Sequence, residues 1–427
     1  MSTKKSEGLL INDLSQRIIK AQQAIRILND VKWDESVEQE FFKHKTKRLP
    51  MVDSDYYAQR PLPFKPAEKI EEFRSILRDT HHQLGEYSPI TRLIKRRCEE
   101  YIRAIVMLDA RGTPLFVDLA QELYGSPNDA FYVGGPTLSQ MGSLLFDLLG
   151  TLDVQLVSDL DNECYESQEA RTILQDRLNV YFDQDAVKVT VSDGMVADSS
   201  AGADTIKLSA SARFSERELR YLEVHEGWVH LGTTINGSLQ PHCSFLSKGS
   251  PSCSVIQEGL AVMTEVVTMC SYPARLRKIT NRVIAIEKVM QGADFLDIFR
   301  YFMECGMTET DAYKQSVRVF RGSLPNGGPF TKDLAYAKGF VLLYNFLRYA
   351  ISERRVDVVP ILFTGKLALD DVPLMIELKN EGLLVDPKYT PPQFKDLSSL
   401  SVWLGLSLYL NTFDFTEIQR NFRSLLI

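Results

Sequence analysis

The chain has few cysteines, no excess of basic residues and no long apolar run, and each of these features argues against a particular class of protein. Its six cysteines among 427 residues are too few and too scattered to form a disulfide framework. Basic residues are not in excess, since 49 Lys and Arg stand against 56 Asp and Glu, for a net charge of −7. This balance argues against binding to nucleic acid or to an anionic membrane by bulk charge. The longest apolar run, residues 339–347, contains Asn345 and is too short to span a bilayer.

The first 28 residues do not have the pattern of a signal peptide, because two lysines are followed by no unbroken apolar core. Apolar residues make up 44% of the chain and charged residues 25%, which is typical of a soluble globular protein with a sizeable core. Together these features predict a cytoplasmic protein without a nucleic-acid or membrane partner. Its oligomeric state is left open by the sequence.

Histidine is also scarce, and two of the six histidines lie in one short segment. His225 and His230 bracket the sequence HEGWVH, with Glu226 directly after the first of them. Helical spacing of apolar residues runs from 216 to 229, with Ser215 as the predicted N-cap. Two imidazoles about one turn apart on a helix can hold a metal ion, and the neighbouring glutamate can act as general base on its water.

The spacing of these histidines departs from the common HExxH pattern. Residues five positions apart are separated by about 140° on a regular α-helix, so both reach one ion only if the helix is locally widened. A π-type turn provides such widening and occurs often at functional sites. Gly227 lowers helix stability at this point, which fits a local distortion. The alternative is that the segment contains two unrelated helical histidines, one buried and one exposed.

A second apolar helix is predicted over residues 255–267, with Glu258 near its first turn. Two histidines and one glutamate form the ligand set of a catalytic zinc site, in which the fourth position is left for water. Thr264 and Glu265 lie further along the same helix. Glu265, two turns after Glu258, is a candidate to accept a hydrogen bond from a metal-bound imidazole. Its alternative is an ordinary surface carboxylate.

The HEGWVH segment, combined with QEGLA at residues 257–261, resembles the bacterial proteins named for flavohemoglobin expression and their QEGLA motif. The same family contains the animal microtubule-associated tyrosine carboxypeptidase. Residues 316–322 (SVRVFRG) and 330–336 (FTKDLAY) also resemble it, and the similarity covers roughly residues 55–350. The resemblance implies a gluzincin-like zinc peptidase that removes residues from protein C-termini. It does not extend to the tubulin-tail specificity of the animal member.

Residue by residue, the resemblance assigns the ligands of one Zn²⁺ ion per chain to His225, His230 and Glu258. It assigns the general base to Glu226. A structural zinc site has no need of such a base, so Glu226 favours a catalytic site.

Basic residues follow in the next part of the chain. Thr308 is predicted to cap a helix that runs to residue 320, with Gly322 as the C-terminal signal. Arg318 and Arg321 are then three residues apart on one face. Arginine suits the bidentate binding of a carboxylate. The alternative is that both arginines are solvated or paired with glutamates.

Thr331 is predicted to cap the following helix, which places Lys332 and Tyr336 one turn apart. A tyrosine near a metal can donate a hydrogen bond to a developing oxyanion. We therefore predict Tyr336 as a catalytic residue. We predict that Lys332, together with Arg318 and Arg321, binds the terminal carboxylate or acidic side chains of the substrate.

The predicted fold is α+β and mostly α-helical: a gluzincin-like core with a small antiparallel sheet ahead of the zinc helix. Strands are expected over residues 187–191 and 205–209, where apolar and polar residues alternate. An edge strand at this place can pair with an extended substrate, and the alternative is a hairpin without such a role. Further helices are expected over residues 68–82, 90–109, 114–123, 138–150 and 168–178.

Residues 1–66 are predicted to form an N-terminal helical segment followed by an extended strap over 56–66, where three prolines oppose helix. The catalytic domain would occupy residues 67–427. It comprises helices over 67–182, strands and the zinc site over 183–270, and C-terminal helices over 271–427. The N-terminal helix carries an apolar stripe that is expected to face the protein body, formed by Ile11, Leu14, Ile18, Ala21, Ile25 and Leu28.

Cys243 and Cys253 lie between the two helices of the predicted zinc site, close to His242. Three such residues are too few for a second structural zinc site, which requires four ligands. A disulfide between them is not supported, because no secretion signal indicates an oxidising compartment. We therefore expect free thiols.

The sequence as a whole predicts a zinc metallocarboxypeptidase that acts on flexible, acidic C-terminal tails with aromatic or glutamate ends. An aminopeptidase or endopeptidase with the same zinc site is one alternative. The other is a regulatory binding protein whose zinc site is structural or inert.

Overall fold

The computed structural model describes residues 2–155, 159–193 and 198–425, and helices dominate it. The helices before the first sheet residues are numbered α1 to α8. They comprise α1 Ser2–Gln22, α2 Ile27–Asp30, α3 Glu35–Lys43, α4 Ser54–Ala58, α5 Pro66–Leu84, α6 Pro89–Asp109, α7 Pro114–Tyr124 and α8 Leu138–Gln155. A short 3-10 helix, Asp159–Asp161, follows α8.

The middle of the chain contains the strands and the helices around the predicted metal site. The strands are β1 Tyr165–Glu166, β2 Lys188–Ser192, β3 Ser199–Ala201, β4 Thr205–Ser209 and β5 Arg213–Phe214. The helices are α9 Ser167–Tyr181, α10 Glu216–Leu222, the π-helix Glu223–Leu231, α11 Gly232–Ser238, the 3-10 helix Ser244–Ser247 and α12 Pro251–Val267.

The remaining chain is again helical. Its α-helices are α13 Pro273–Met290, α14 Phe295–Glu304, α15 Glu309–Phe320, α16 Ala335–Ser352, α17 Val372–Asn380, α18 Pro392–Lys395, α19 Leu397–Leu410 and α20 Phe415–Phe422. Its 3-10 helices are Thr331–Leu334, Val356–Val358, Pro360–Phe363, Leu369–Asp371 and Arg423–Leu425. Across the described part of the chain, no helix combines the length and apolar character needed to cross a membrane.

Each of the five further helices expected from the sequence lies within an observed helix, and the mostly helical α+β class is confirmed. The N-terminal stripe is confirmed from Ile11 to Ile25, since α1 packs against α5 and the five stripe residues over this range are at most 4% exposed. Leu28 is an exception. It lies in the separate short helix α2 and is 41% exposed.

The prediction of an extended strap over residues 56–66 is wrong for its first residues. Tyr56 and Tyr57 lie in α4, because the Asp53 side chain accepts a hydrogen bond from the Tyr56 backbone N–H and caps this helix. The proline positions come after α4 ends, and Pro66 begins α5. The Tyr57 hydroxyl donates to the Ser323 carbonyl, so α4 is fixed to the body of the protein.

The two strands expected from the sequence are neighbours, but they do not form a hairpin. β2 and β4 run parallel, and β3, which the sequence did not indicate, pairs antiparallel with β4. The resulting order is β2-β4-β3, which leaves β3 at an edge of this sheet. Antiparallel pairing also joins β1 to β5. The sheet is therefore mixed, because a short turn at residues 202–204 connects β4 to β3 instead of to β2.

Helix α12 lies between α16 and the π-helix, and its contact with α16 is very close. A Cβ atom added to Gly259 would lie 2.1 Å from the Gly339 carbonyl carbon, and one added to Gly339 would lie 1.9 Å from the Val255 carbonyl oxygen. Both positions therefore require glycine. This close packing fixes the distance between α12, which carries Glu258, and the start of α16.

We expect Gly259→Ala to lower the free energy of unfolding by about 1–3 kcal/mol, because the added methyl group forces two backbones apart. Gly405→Ala is the matched control, since Gly405 is also helical but has no atom within 4 Å of an added Cβ. Alanine stabilises an open helical position by up to about 1 kcal/mol relative to glycine. Urea unfolding of both variants measures the difference. Equal stability of the two would contradict the packing argument.

Candidate metal centre

The HEGWVH segment forms a π-helix. Ser215 caps α10 by accepting a hydrogen bond from the Glu218 N–H, and the α-helix becomes a π-helix over Glu223–Leu231. The local widening predicted from the five-residue histidine spacing is confirmed. His225 and His230 consequently lie on the same side of the helix, with their ring centroids 4.8 Å apart.

Packing from α9 explains the glycine within this segment. A Cβ atom on Gly227 would lie 2.4 Å from Leu178 Cδ2, so α9 can approach the π-helix only at a residue without a side chain. The sequence had indicated Gly227 as a point of helix weakness. The structure adds that its main effect is to admit the neighbouring helix.

Hydroxyl and ammonium groups of nearby side chains contact the backbone carbonyl groups at the end of the π-helix. Thr233 Oγ1 donates to the Val229 carbonyl at 2.7 Å, and Thr234 Oγ1 donates to the His230 carbonyl at 2.7 Å. Lys366 Nζ lies 3.4 Å from the same His230 carbonyl. Burial lowers the pKa of Lys366 to about 8. These bonds satisfy backbone acceptors where the π-helix returns to α-helix, and so they stabilise the position of His230.

The two histidines meet Glu258 from α12. One carboxylate oxygen, Glu258 Oε2, lies 3.5 Å from His225 Nε2 and 3.5 Å from His230 Nε2. The three potential ligand atoms lie within 4.8 Å of one another. Glu258 Oε2 is buried and has no hydrogen-bond partner among the described residues. Glu258 lies in the third turn of α12 and not in the first, since this helix begins at Pro251.

The QEGLA segment also connects α12 to α11. The Gln257 side chain is buried, and its Oε1 lies 2.7 Å from Thr233 Oγ1, the hydroxyl that also contacts the Val229 carbonyl. Lys366 Nζ lies 3.3 Å from the same oxygen. Gln257 thus connects α12, which carries Glu258, to the segment that follows His230. This explains the glutamine that precedes Glu258 in the motif.

Glu265 lies behind His225 and fixes its ring. The His225 Nδ1 and Glu265 Oε1 atoms are 2.6 Å apart, so His225 Nε2 is directed towards Glu258. The Glu265 side chain is fully buried and is paired with Arg275, whose Nη2 lies 3.1 Å from Oε1. The interpretation of Glu265 as a partner of a site histidine is confirmed, and the surface alternative is wrong.

The carboxylates around His225 and His230 stabilise a positive charge placed among these side chains. Burial by itself lowers the pKa of His225, but the neighbouring carboxylates of Glu258 and Glu265 outweigh burial and raise this pKa to about 9. Burial also opposes ionisation of Glu258, yet His225, His230 and Lys332 hold its pKa well below the usual range. The same carboxylates that stabilise an imidazolium would stabilise a metal cation.

Glu226 follows His225 directly in the π-helix, and its side chain is not held by a neighbouring side chain among the described residues. It is half-buried and makes no hydrogen bond or ion pair with any residue that the structure describes. Its negative charge acts on His225 and on Lys366. Its carboxylate is therefore free to exchange a proton with a molecule in the site.

The predicted basic residues surround a buried aspartate. Arg318 binds Asp333 through two hydrogen bonds of 2.6 and 3.1 Å, and Arg321 Nη2 lies 3.8 Å from the same carboxylate. Arg282 from α13, which the sequence analysis missed, lies at 3.8 Å. Burial opposes ionisation of Asp333, but the three arginines hold its pKa well below its ordinary value. One carboxylate faces three guanidinium groups, so the cluster carries excess positive charge.

Arg321 has the most unused hydrogen-bonding capacity in this cluster. Its Nε atom is buried and has no hydrogen-bond partner among the described residues. Burial and the neighbouring Arg318 lower its pKa to about 10. Thr308 caps α15 as predicted and positions both arginines near the end of this helix.

Lys332 and Tyr336 reach the site from a different local structure than expected. Residues 331–334 form a 3-10 turn, and α16 starts at Ala335, because the Thr331 hydroxyl donates to the Ala120 carbonyl and does not cap a helix. Lys332 Nζ lies 3.7 Å from Glu258 Oε1. The Tyr336 ring lies 6.3 Å from the His225 ring, and burial raises the pKa of its hydroxyl to about 12.

The cysteines take no part in this centre. All six, each within the described residues, are free thiols, as predicted for Cys243 and Cys253. Both of these side chains are fully buried. Burial raises the pKa of Cys243 to about 12, so it remains protonated.

The chain belongs to the family of microtubule-associated tyrosine carboxypeptidases, whose sequence model matches residues 39–412. The family resemblance noted in the motifs is thereby confirmed, and membership implies a peptidase of the carboxypeptidase type that acts on proteins. No curated protein matches this chain.

Two solved structures are similar to the chain at low identity. One is a candidate lipoprotein from Colwellia psychrerythraea, with 14% identity and a TM-score of 0.35 over 76% of this chain and 65% of that chain. The other is the crystal structure of BsuCP, with 13% identity and a TM-score of 0.34 over 95% of this chain and 99% of that chain. The chain thus spans 65% of the length of the first structure and almost all of the second.

Proposed function

We propose that this chain is a zinc-dependent metallocarboxypeptidase that removes residues from acidic C-terminal protein tails. The observation that carries the proposal is the convergence of His225, His230 and Glu258 within 4.8 Å, next to a free Glu226. Family membership supplies the carboxypeptidase class. The metal, the base and the choice of tail are inferred from the side chains and their distances.

The distances from Glu258 to the two histidines fit a tetrahedral zinc ion. With Zn–N and Zn–O bonds of about 2.0–2.2 Å, neighbouring ligand atoms of a tetrahedron lie about 3.3–3.5 Å apart. Glu258 Oε2 lies 3.5 Å from each of the two histidine nitrogens. Three protein ligands also leave one coordination position for water, which is the pattern of catalytic zinc sites. The Glu265 carboxylate behind His225 further supports the assignment, because metal-bound imidazoles are usually oriented by such a partner.

Glu226 would act as the general base and acid of the hydrolysis. A zinc ion at this position would lower the pKa of a nearby water and polarise the scissile carbonyl. Glu226 takes the proton of the attacking water and returns it to the leaving amine. The absence of competing hydrogen bonds with described residues keeps its carboxylate available for both transfers.

Tyr336 would donate a hydrogen bond to the oxyanion that forms on the scissile carbonyl. Since burial raises its pKa to about 12, the hydroxyl stays protonated at neutral pH and remains a donor. Its ring lies 5.1 Å from the Arg282 guanidinium, which fixes the ring at the border between the ligands and the arginine cluster. From this position Tyr336 can contact a substrate that spans both.

Arg321 and Lys332 are the proposed binding groups for the terminal carboxylate. Arg318 is already occupied by its two hydrogen bonds with Asp333, whereas Arg321 keeps an unpaired Nε. Lys332 lies next to Glu258 and would place the terminal carboxylate close to the scissile bond. Arg318 then contributes charge and holds Asp333 in place, which differs from the direct substrate contact predicted for it from the sequence.

The edge strand β3 is a candidate platform for the extended substrate. It lies alongside the π-helix and pairs with β4 on one side. Its other edge has no strand partner among the described residues. Backbone hydrogen bonds to this edge would hold a peptide without regard to its side chains.

We expect Glu265→Gln to weaken zinc binding about 10- to 100-fold, since partners of metal-bound histidines typically contribute this much. Glutamine keeps the shape of the side chain but lowers the basicity that the carboxylate confers on His225. Competition with a zinc chelator measures the affinity. Glu304→Gln, at the end of α14, is the control and should bind zinc like the wild type. Unchanged affinity in Glu265→Gln would remove Glu265 from the metal centre.

We expect peptides with acidic tails that end in Tyr, Phe or Glu-Glu to be trimmed faster than matched peptides that end in Ala or Lys. The aromatic preference follows the family, and the glutamate preference follows the positive cluster around Asp333. Rates on acidic tails should fall as salt rises, because salt screens attraction between exposed charges. Mass spectrometry of the products gives the relative rates.

The matched variants for this prediction are Arg321→Met and Arg300→Met. Arg300 lies on α14 with 68% of its side chain exposed and pairs with Asp297. We expect Arg321→Met to lose the preference for acidic ends, whereas Arg300→Met keeps it. Faster release of lysine than of tyrosine or glutamate by the wild type would contradict this choice of substrate and leave the zinc chemistry in place.

A further inference from the structure

Helix α19 is apolar on two opposite faces, and the rest of the chain covers one of them. Leu400 and Leu404 are 5% and 0% exposed and belong to the main hydrophobic core, where α19 packs on α16. The opposite face carries six large apolar side chains that are 40–62% exposed. We call this the α19 surface; it consists of Val402, Trp403, Leu406, Tyr409, Leu410 and Phe413.

The spacing of these residues makes them one continuous surface. On an α-helix, positions 402, 406 and 409 lie on one face, and 403 and 410 lie directly beside it. Phe413 extends the surface past the end of the helix, with its ring 5.3 Å from that of Tyr409. A helix that is apolar all round is normally buried on all sides. The α19 surface is therefore expected to have a partner.

The following helix, α20, repeats the pattern. Phe415, Phe422 and Leu425 fall on one side of α20 and its 3-10 extension and are 68%, 55% and 71% exposed. At about 150–250 Å² for each large side chain, and with 40–71% of each side chain exposed, the nine residues of α19 and α20 expose roughly 800–1,300 Å² of apolar surface. The largest apolar patch of a typical monomer is about 300–600 Å², and a stable interface buries about 800 Å² per partner. The area matches one side of a protein dimer.

The charge distribution favours a second copy of this chain as the partner. Residues 397–413 contain no charged side chain, although the chain as a whole has a net charge of −7. Two acidic copies repel each other, so a contact between them is least costly through an uncharged surface. In a two-fold symmetric contact the same surface meets itself, so the uncharged α19 surface of one copy would meet the uncharged α19 surface of the other.

A lipid surface fits these features less well. Helices that lie on membranes carry Lys or Arg on a polar face opposite the apolar one. In α19 the opposite face is buried against α16, and residues 397–413 include no basic residue. The following segment contains two arginines, Arg420, which is paired with Glu417, and Arg423. We propose that the α19 surface, extended by α20, is the interface of a homodimer. This assembly is independent of the proposed peptidase function.

Sedimentation velocity of the full-length protein tests the assignment. The wild type is expected to sediment at twice the chain mass of 48.5 kDa. Leu406→Glu places two like charges at the centre of the interface and should raise the dimer dissociation constant at least about 100-fold. Val180→Glu is the control, because Val180 is an 89% exposed apolar residue on α9, outside the surface. It should remain dimeric.

Tyr409→Glu, at another position of the same surface, guards against a misfolded Leu406→Glu protein. Thermal unfolding followed by circular dichroism identifies a variant that has lost its fold. A folded monomer from either variant, with a dimeric Val180→Glu protein, supports the proposal. A wild type that stays monomeric at high concentration overturns it. Flotation of a monomeric wild type with phosphatidylcholine vesicles also overturns it, because the surface would then bind lipid.

Discussion

Glu226→Gln is expected to bind zinc like the wild type while its turnover falls by about 10²–10⁴-fold. The substitution removes the group that accepts and returns the proton, and general acid–base catalysis contributes rate factors of this size. Glutamine is nearly isosteric, and Glu226 makes no hydrogen bond or ion pair with described residues, so the π-helix should keep its geometry. Metal analysis of the purified variant, combined with peptide turnover, measures both quantities.

The ligand variants provide the contrast to Glu226→Gln. His225→Ala, His230→Ala and Glu258→Ala should each lose most of the approximately one zinc ion expected per chain, and with it the activity. Glu223→Gln is the matched control, since Glu223 is a half-buried glutamate of the same π-helix. Full activity of Glu226→Gln would contradict the mechanism. A wild type that binds no added zinc would favour the regulatory binding protein.

Amidation of the substrate C-terminus is expected to lower kcat/KM by about 10²–10⁴-fold. A carboxypeptidase must bind the terminal carboxylate, and replacing it by an amide leaves the buried cationic groups of Arg321 and Lys332 without their partner. Both side chains are largely buried, at 13% and 12% exposure, so solvent compensates little for the lost contact. Matched peptides that differ only at the C-terminus provide the measurement.

N-terminal acetylation of the same peptides is the control for the amidation series. It should leave the rate unchanged, because a carboxypeptidase makes no contact that depends on a free amino terminus. The reverse pattern, resistance of acetylated peptides and cleavage of amidated ones, would identify an aminopeptidase. Equal cleavage of all peptides would identify an endopeptidase. In both cases the zinc ligands and Glu226 would keep their proposed roles, and the assignment of Arg321 and Lys332 would be wrong.

The sequence by itself determined the local features of the candidate site. A shared metal-ligand role for His225 and His230 predicted a widened helix, since residues five apart diverge on a regular α-helix, and the π-helix over Glu223–Leu231 has this property. The helix that carries Glu258 followed from its apolar pattern. The capping residues Ser215 and Thr308 were readable because an N-cap acts only three residues along the chain.

Local patterns also limited what the sequence could predict about the fold. Alternation of apolar and polar residues identified β2 and β4, but it carries no information about strand direction. Their parallel pairing depends on β3, a three-residue strand too short to produce a periodic signal. Tyr56 is a further example: the prolines that follow it predicted an extended segment, but Asp53 caps a short helix that contains Tyr56.

Only the tertiary structure decided which distant side chains complete the site. Asp333 pairs with Arg318 and Arg321 at the end of α15 and with Arg282 from α13. The spacing of Arg318 and Arg321 placed them on one helix face, but no spacing in the sequence relates them to Asp333 or Arg282. Glu265 lies 40 residues after His225 and reaches its ring because α12 packs against the π-helix. Such contacts depend on the burial of whole helix faces, which places charges together in the interior irrespective of their separation along the chain. Short motifs in the sequence thus indicated the residues that could hold a metal ion. The packing of helices decided which charged side chains surround them.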